Sequence, residues 1–223
     1  SVRRFEVMLQ NHEQSFFDLD TYEQIVEHYL DEERLEDALK ACNVGLDQYP
    51  YSLELMLNRS QALANLQKFN EALDQLDQAA LFNPSDPEIR YMRGTISNLM
   101  GNYQEAIDTL YSVMDEIEEK DEVYYHIGLA YQNWGKYAEA IEAYKKALQI
   151  HTKLKGDRHP DTYVHQLNLA RSLDHTGNIE EAEKLYKDAV GAATVNHRNA
   201  KIKMVECTLE YAHFLKIGRA SCR

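Results

Sequence analysis

Residues 121–150 read "DEVYYHIGLAYQNWGKYAEAIEAYKKALQI". Tyr124, Ile127, Gly128 and Tyr131 fall at the three- and four-residue steps that place side chains on one face of a helix. Ala140, Tyr144 and Ala147 do the same after Gly135. The stretch predicts two amphipathic helices joined by a tight turn. Gly128 in the first helix, with Ala140 and Ala147 in the second, permits the two backbones to approach closely. The larger Tyr131 and Tyr144 fill the remaining layer. Gly135 suits a helix C-terminus that runs into a turn.

The same pattern extends toward the N-terminus at a fixed period. Ala38, Ala72, Ala106 and Ala140 are separated by 34, 34 and 34 residues. Three residues before each stands a bulky apolar side chain, Leu35, Phe69, Tyr103 and Tyr137. Two residues earlier again come Glu33, Gln67, Gly101 and Gly135. Pro50 and Pro84 close the second helices of the first two copies, because proline cannot continue a helix interior. One hairpin cannot bury its own apolar faces, whereas stacked neighbours can. The fold class is therefore all-α, a right-handed α-solenoid of stacked antiparallel helix hairpins. The series Tyr124, Ile127, Gly128, Tyr131, Ala140, Tyr144 and Ala147 resembles the tetratricopeptide repeat. The copies fall at 19–52, 53–86, 87–120 and 121–154. Ser97 sits where an aromatic is usual in such repeats, and Arg59 and Arg93 sit where Leu is usual. In residues 1–18, Phe5, Met8 and Leu9 lie at helical spacing, so a partial preceding helix is expected, with Phe16 and Phe17 capping the open end.

The period then changes. Ala182 lies 42 residues after Ala140, and Gly177, Ile179, Tyr186 and Ala189 keep step with it. Eight residues are added within 151–162, "HTKLKGDRHPDT". The simplest arrangement continues the helix that begins near Tyr137 to about Lys155, where Gly156 ends it and Pro160 opens the next helix. His-Pro-Asp at 159–161 and Asn168-Leu169-Ala170 are similar to the 42-residue repeats of the kinesin light chain family. That resemblance implies a turn role for the His-Pro pair. A fifth copy is expected at 163–204 and a truncated sixth at 205–216, carried by Tyr211, Ala212 and Leu215. The closing "IGRASCR" (217–223) loses the apolar period and reads like a translated sequencing adapter, so a non-native tail is expected there and a longer natural chain beyond it.

Composition narrows the function classes. The net charge is −13 over 223 residues. An acidic surface opposes nucleic-acid binding, which needs cations to displace phosphate counterions, and equally opposes an anionic membrane. No apolar run is long enough to span a bilayer. Cys42, Cys207 and Cys222 are few, distant and without CxxC spacing, which reads as reduced thiols in a cytoplasmic setting. His151, His159 and His165 lack the short spacing of a zinc site, and no Cys, Asp or Glu completes one by pattern, so neither metal nor cofactor is expected. A single glycine in 151–160 cannot cradle a phosphate. Cys42 with His28 is the one nucleophile pair available, but Cys42 occupies a core slot held by Leu76, Leu110 and Tyr144 in later copies. No enzyme activity is expected.

The remaining candidate is the inner face. In tetratricopeptide solenoids the first helix of each hairpin lines a groove. The inward slots are expected at Asp20, Glu23, Glu27 and Asp31, then Leu57, Asn58 and Gln61, then Tyr91, Met92, Thr95 and Asn98. Tyr125, His126, Leu129 and Asn133 follow, then Leu167, Asn168, Arg171 and His175. Tyrosine offers contact area at low entropy cost and amides can pair with a peptide backbone, although solvated surface would carry the same residue types. Family members that grip the acidic C-terminal tails of heat-shock chaperones use Lys and Asn, then Asn, then Lys and Arg in successive copies. The matching residues here are Glu23 and Glu27, Asn58, then Glu88 and Met92. Carboxylates replace cations, which excludes that partner class. The expected function is a non-catalytic scaffold for another protein or peptide, basic or neutral near the first copy. The alternative is an accessory region of a larger signalling or regulatory protein whose catalytic domain lies elsewhere.

Overall fold

The computed structural model describes residues 1–11, 16–156, 159, 162–193 and 207–216. All regular structure among the described residues is helical. The helices are α1 (Val2–Asn11), α2 (Leu19–Asp31), α3 (Leu35–Gln48), α4 (Leu53–Asn65), α5 (Phe69–Phe82), α6 (Pro87–Leu99), α7 (Tyr103–Val113), α8 (Lys120–Asn133), α9 (Tyr137–Lys155), α10 (Thr162–His175) and α11 (Ile179–Ala193). A further helix, α12, covers 207–216. The expected non-native tail at 217–223, and Pro160 and Asp161 of the expected turn, lie outside the described residues. The chain forms two compact units, Ser1–Met100 and Gly101–Arg223.

Within each unit the helices pack as an α-solenoid packs. Consecutive helices pair from α2 through α6 in the first unit and from α7 through α11 in the second. First helices also touch the first helix of the next copy, α2 on α4, α4 on α6, and α8 on α10. That second set of contacts makes the first helices of each unit a continuous face.

Local chemistry explains where the helices begin and end. Asp18 accepts from the Thr21 amide at 2.7 Å, Ser52 from Leu55 at 3.2 Å and Asp86 from Glu88 at 2.9 Å, each satisfying an orphan donor at the start of a first helix. First helices end in a repeated double bond. The Arg34 amide reaches the Tyr29 carbonyl at 2.8 Å and the Glu33 amide reaches Leu30 at 3.1 Å. Lys68 to Leu63, Lys136 to Tyr131 and Asn178 to Leu173 repeat the first of these bonds, each at 2.9 Å. This is a Schellman ending, and it requires a left-handed residue just past the helix. Glu33 and Gln67 take that role at φ +55° and +61°, and Gly101, Gly135 and Gly177 take it at +85°, +79° and +81°. The positions two residues before the bulky anchors are thus the turn positions.

The small-residue ladder is the core. Ala38, Ala72, Ala106, Ala140 and Ala182 are all fully buried. Gly128 on α8 lies against the ring of Tyr144 on α9, and a Cβ there would stand 2.7 Å from two ring carbons. The first unit is closed by α1, whose Phe5 is fully buried beside Phe17, Tyr22 and Tyr29, with ring centroids 6.1–6.4 Å apart. Glu6 adds an ion pair to Arg34 at 3.0 Å. Of the two phenylalanines expected to cap this end, Phe17 is buried and Phe16 is 71% exposed. α9 is 19 residues long, against 14 for α3 and α5, and ends at Gly156 with φ +90°. Arg59 and Arg93, departures from the usual leucine, both reach α5. Arg59 donates to Gln75 of its own hairpin at 2.7 Å, and Arg93 pairs with Asp77 of the preceding one.

Candidate functional site

In the first unit, α2 and α4 flank an open cleft of about 610 Å³. Asp20, Glu23, Glu27 and Asp31 line it from α2, and Glu54, Asn58 and Gln61 line it from α4, together with Gln24 and Leu30. Five carboxylates meet there and no cation is among the lining residues. Burial, then repulsion from Glu54 and Asp20, raises the Glu23 carboxyl above its ordinary pKa, with Ser52 opposing through a hydrogen bond. The five carboxylates make the cleft a region of negative potential, and Glu23 is disfavoured as an anion there. Asn58 donates to Glu54 at 3.3 Å. Glu54 and Gln24 belong to this surface and are not among the slots that spacing singles out. Glu54 lies in the first turn of α4, two positions past its N-cap, so it follows from the same helical register once the cap at Ser52 is known.

Other expected groove residues are placed differently. Leu57 is 7% exposed and belongs to the core of the first unit, so its expected place in the groove is corrected. Met92 packs half-buried against that core, and Thr95 turns its hydroxyl to the Met92 carbonyl at 2.8 Å. Tyr91 is half-buried on the same helix.

In the second unit, Tyr125 packs edge-on to His126 and His165, with centroids 5.2 and 5.3 Å away, and against Tyr144 at 5.9 Å. His126 keeps some solvent contact, but burial and then the neighbouring His165 push its pKa down to about 4. Leu129 is half-buried one turn further along α8. Asn168 is 7% exposed and donates to the Val164 carbonyl at 3.0 Å and to the Tyr125 hydroxyl at 3.4 Å. Arg171 donates to Asn168 at 3.0 Å and pairs with Glu210 of α12. Asn168, like the 4% exposed Leu167 beside it, is therefore committed to packing α10 against its own neighbours, which corrects their assignment as open groove positions, whereas Arg171 stays partly exposed in its ion pair.

A second constellation lies in the same unit. His151 of α9 is fully buried, and its Nδ1 lies 2.8 Å from Oδ2 of Asp121, itself fully buried in the first turn of α8. The His165 ring of α10 stands 4.5 Å from the His151 ring, and His159 stands 5.2 Å away. Asp121, Glu122, His151 and His165 each offer one donor atom, all within 4.8 Å of one another. Asp121 Oδ1 and His151 Nε2 find no hydrogen-bond partner among the described residues. A buried polar atom left in that state costs about 1–3 kcal/mol. Spacing along the chain gives these histidines no carboxylate at ligand distance. The carboxylates come instead from a helix 30 residues earlier, which only the packing of α8 on α9 reveals.

Cys42 is fully buried, and burial pushes its thiol up to about 12, against a smaller opposing effect of Arg59. Such a thiol carries almost no thiolate at neutral pH. Among the described residues no helix is long and apolar enough to cross a membrane.

Two family models match the chain, at residues 29–96 and 119–194, and both are described as tetratricopeptide repeat. The chain belongs to the tetratricopeptide repeat family. The chain is 35% identical over 88 residues to an Hsp70-Hsp90 organising protein of Plasmodium falciparum, covering 36% of this chain and 16% of that protein. It is 30% identical over 111 residues to a kinesin light chain-related protein of Arabidopsis thaliana, covering 46% of this chain and 17% of that protein. The tetratricopeptide chain thus spans about a sixth of the length of either relative. In fold it is similar to the crystal structure of a thermophilic tetratricopeptide protein of Thermus thermophilus, with TM-score 0.72 and 16% identity over 89% of this chain and 99% of that one.

Proposed function

We propose that this tetratricopeptide chain is a non-catalytic interaction scaffold whose acidic cleft on α2 and α4 binds a basic or neutral segment of a partner protein. The observation that carries this reading is the meeting of Asp20, Glu23, Glu27, Asp31 and Glu54 without a cation. Lysine or arginine side chains entering the cleft would offset the repulsion that Glu54 and Asp20 exert on Glu23. Gln61 and Asn58 sit beside them as groups able to pair with a peptide backbone. Tyr91, Met92 and Thr95 of α6 extend the same face of the first unit with mixed apolar and polar contact. Tyr125, His126 and Leu129 offer a smaller contact surface in the second unit.

One relative's name refers to Hsp70 and Hsp90. An acidic chaperone tail is nevertheless a poor ligand for this chain, because Glu23, Glu27 and Glu88 stand where such a tail needs cations. A non-catalytic role accords with the buried, neutral thiol of Cys42.

The test is a fluorescence anisotropy titration of the chain with a labelled lysine- and arginine-rich peptide and with a glutamate-rich peptide of equal length. The basic peptide should bind and the acidic one should not. Binding should weaken as salt rises and the screening length shrinks from about 30 Å at 0.01 M to about 10 Å at 0.1 M. Equal binding of both peptides, or affinity indifferent to salt, contradicts the proposal.

A further inference from the structure

We propose that Asp121, Glu122, His151 and His165 form a binding site for one divalent transition-metal ion of the zinc class, which clips α8, α9 and α10 together. The four residues come from three helices of one unit, and one donor atom from each falls within 4.8 Å of the others. Donor atoms arranged tetrahedrally around zinc at bonds of about 2.0–2.1 Å stand about 3.3 Å apart. Closing the cluster to that size shortens its widest donor–donor separation by about 1.5 Å.

The donor set selects the metal. Two imidazoles and two carboxylates suit borderline ions such as Zn²⁺ and Co²⁺. Calcium and magnesium prefer oxygen alone, and soft ions prefer sulfur, which this cluster lacks. Two carboxylates and a divalent cation also sum to zero, and a buried site tolerates that far better than an uncompensated charge.

Two further observations point the same way. Asp121 and His151 are fully buried, yet their mutual contact uses only Oδ2 and Nδ1. Asp121 Oδ1 and His151 Nε2 remain as buried atoms without a hydrogen-bond partner among the described residues. The Asp121–His151 contact holds the His151 ring in place, and an ion taken up by both residues would exchange that contact for bonds to the metal. In addition, His151 is the fifteenth residue of α9, whereas α3 and α5 end after fourteen. The helical extension that lengthens the repeat is what brings His151 to Asp121. The ion would therefore fasten the fourth copy to the fifth where the 34-residue period becomes 42.

The experiment uses the full chain after treatment with a chelator and its removal. Zn²⁺ is titrated calorimetrically, and Co²⁺ is titrated while its visible absorption is followed. The expected result is one equivalent bound, the intense visible bands of four-coordinate cobalt, and a Tm that rises by several degrees on zinc addition. Glu122→Gln and His165→Asn, each checked for native helicity, should weaken binding at least tenfold, whereas His28→Ala on α2 should leave it unchanged. Absence of a saturable single site overturns the proposal. So does single-site binding that survives both ligand substitutions, or several equivalents of weakly coloured six-coordinate cobalt, which would place the metal on surface carboxylates.

Discussion

Gly128 has no side chain because Tyr144 occupies the space that one would need. A methyl group at Gly128 would stand 2.7 Å from the Tyr144 ring, and that ring is fully buried and has no room to swing. Gly128→Ala gains about 1 kcal/mol of helix propensity but incurs an overpacking cost of about 1–3 kcal/mol. A net loss of about 1 kcal/mol is expected, read as a lower urea midpoint at unchanged slope. Cys42 makes a different prediction on the same scale. With its thiol held near 12 by burial, it should resist a thiol reagent at about pH 8 in the native chain and react once the chain is unfolded, as peptide mapping would show. Rapid native labelling at Cys42 would contradict its place in the core.

At the scale of the element, the hairpin turns separate backbone strain from packing. Gly135 sits at φ +79° with nothing within 4 Å of where a Cβ would go. Gly135→Ala therefore measures the left-handed backbone cost almost alone, about 1 kcal/mol. Gln67 holds the equivalent conformation with a side chain, at φ +61°. Gln67→Gly should stabilise by a few tenths to about 1 kcal/mol, since relief of that strain exceeds the entropy glycine loses on folding. Both changes are read by chemical denaturation, and the opposite signs are the diagnostic. These turns were legible in the sequence because Glu33, Gln67, Gly101, Gly135 and Gly177 hold one phase relative to the buried alanines. The face of a first helix was less legible. Leu57 neighbours Asn58 in sequence but turns into the core, and Asn168 spends its amide on Val164 and Tyr125. Slot position alone does not tell a groove residue from one consumed by its own helix. The Asp121–His151 contact was not legible, because pairing over 30 residues carries no local period.

At the scale of the whole molecule, charge and buried phenols set the response to solution conditions. Tyr29 is 1% exposed, and burial, reinforced by the nearby Glu6 carboxylate and opposed by Arg34, pushes its pKa up to about 12. Burial likewise raises Tyr22, Tyr144 and Tyr186. Unfolded tyrosines lose their protons near pH 10 while the folded ones keep theirs. Between about pH 10 and 12 the unfolded state therefore binds fewer protons, and stability falls as pH rises. Helical circular dichroism should persist below about pH 10 and be lost above it, whereas Tyr29→Phe should move the onset upward. The acidic cleft governs binding instead. Glu23→Gln, Glu27→Gln and Asp31→Asn remove one half-buried and two exposed carboxylates, each worth about 0.5 kcal/mol toward a cationic ligand, and together they amount to about a tenfold change. The most direct measurement is the anisotropy titration of a lysine- and arginine-rich peptide against the native chain and this triple variant. The expected result is saturable binding to the native chain, weakened about tenfold in the variant at unchanged helicity. Binding of equal strength to both, or none to either, would contradict an acidic cleft that receives a basic partner.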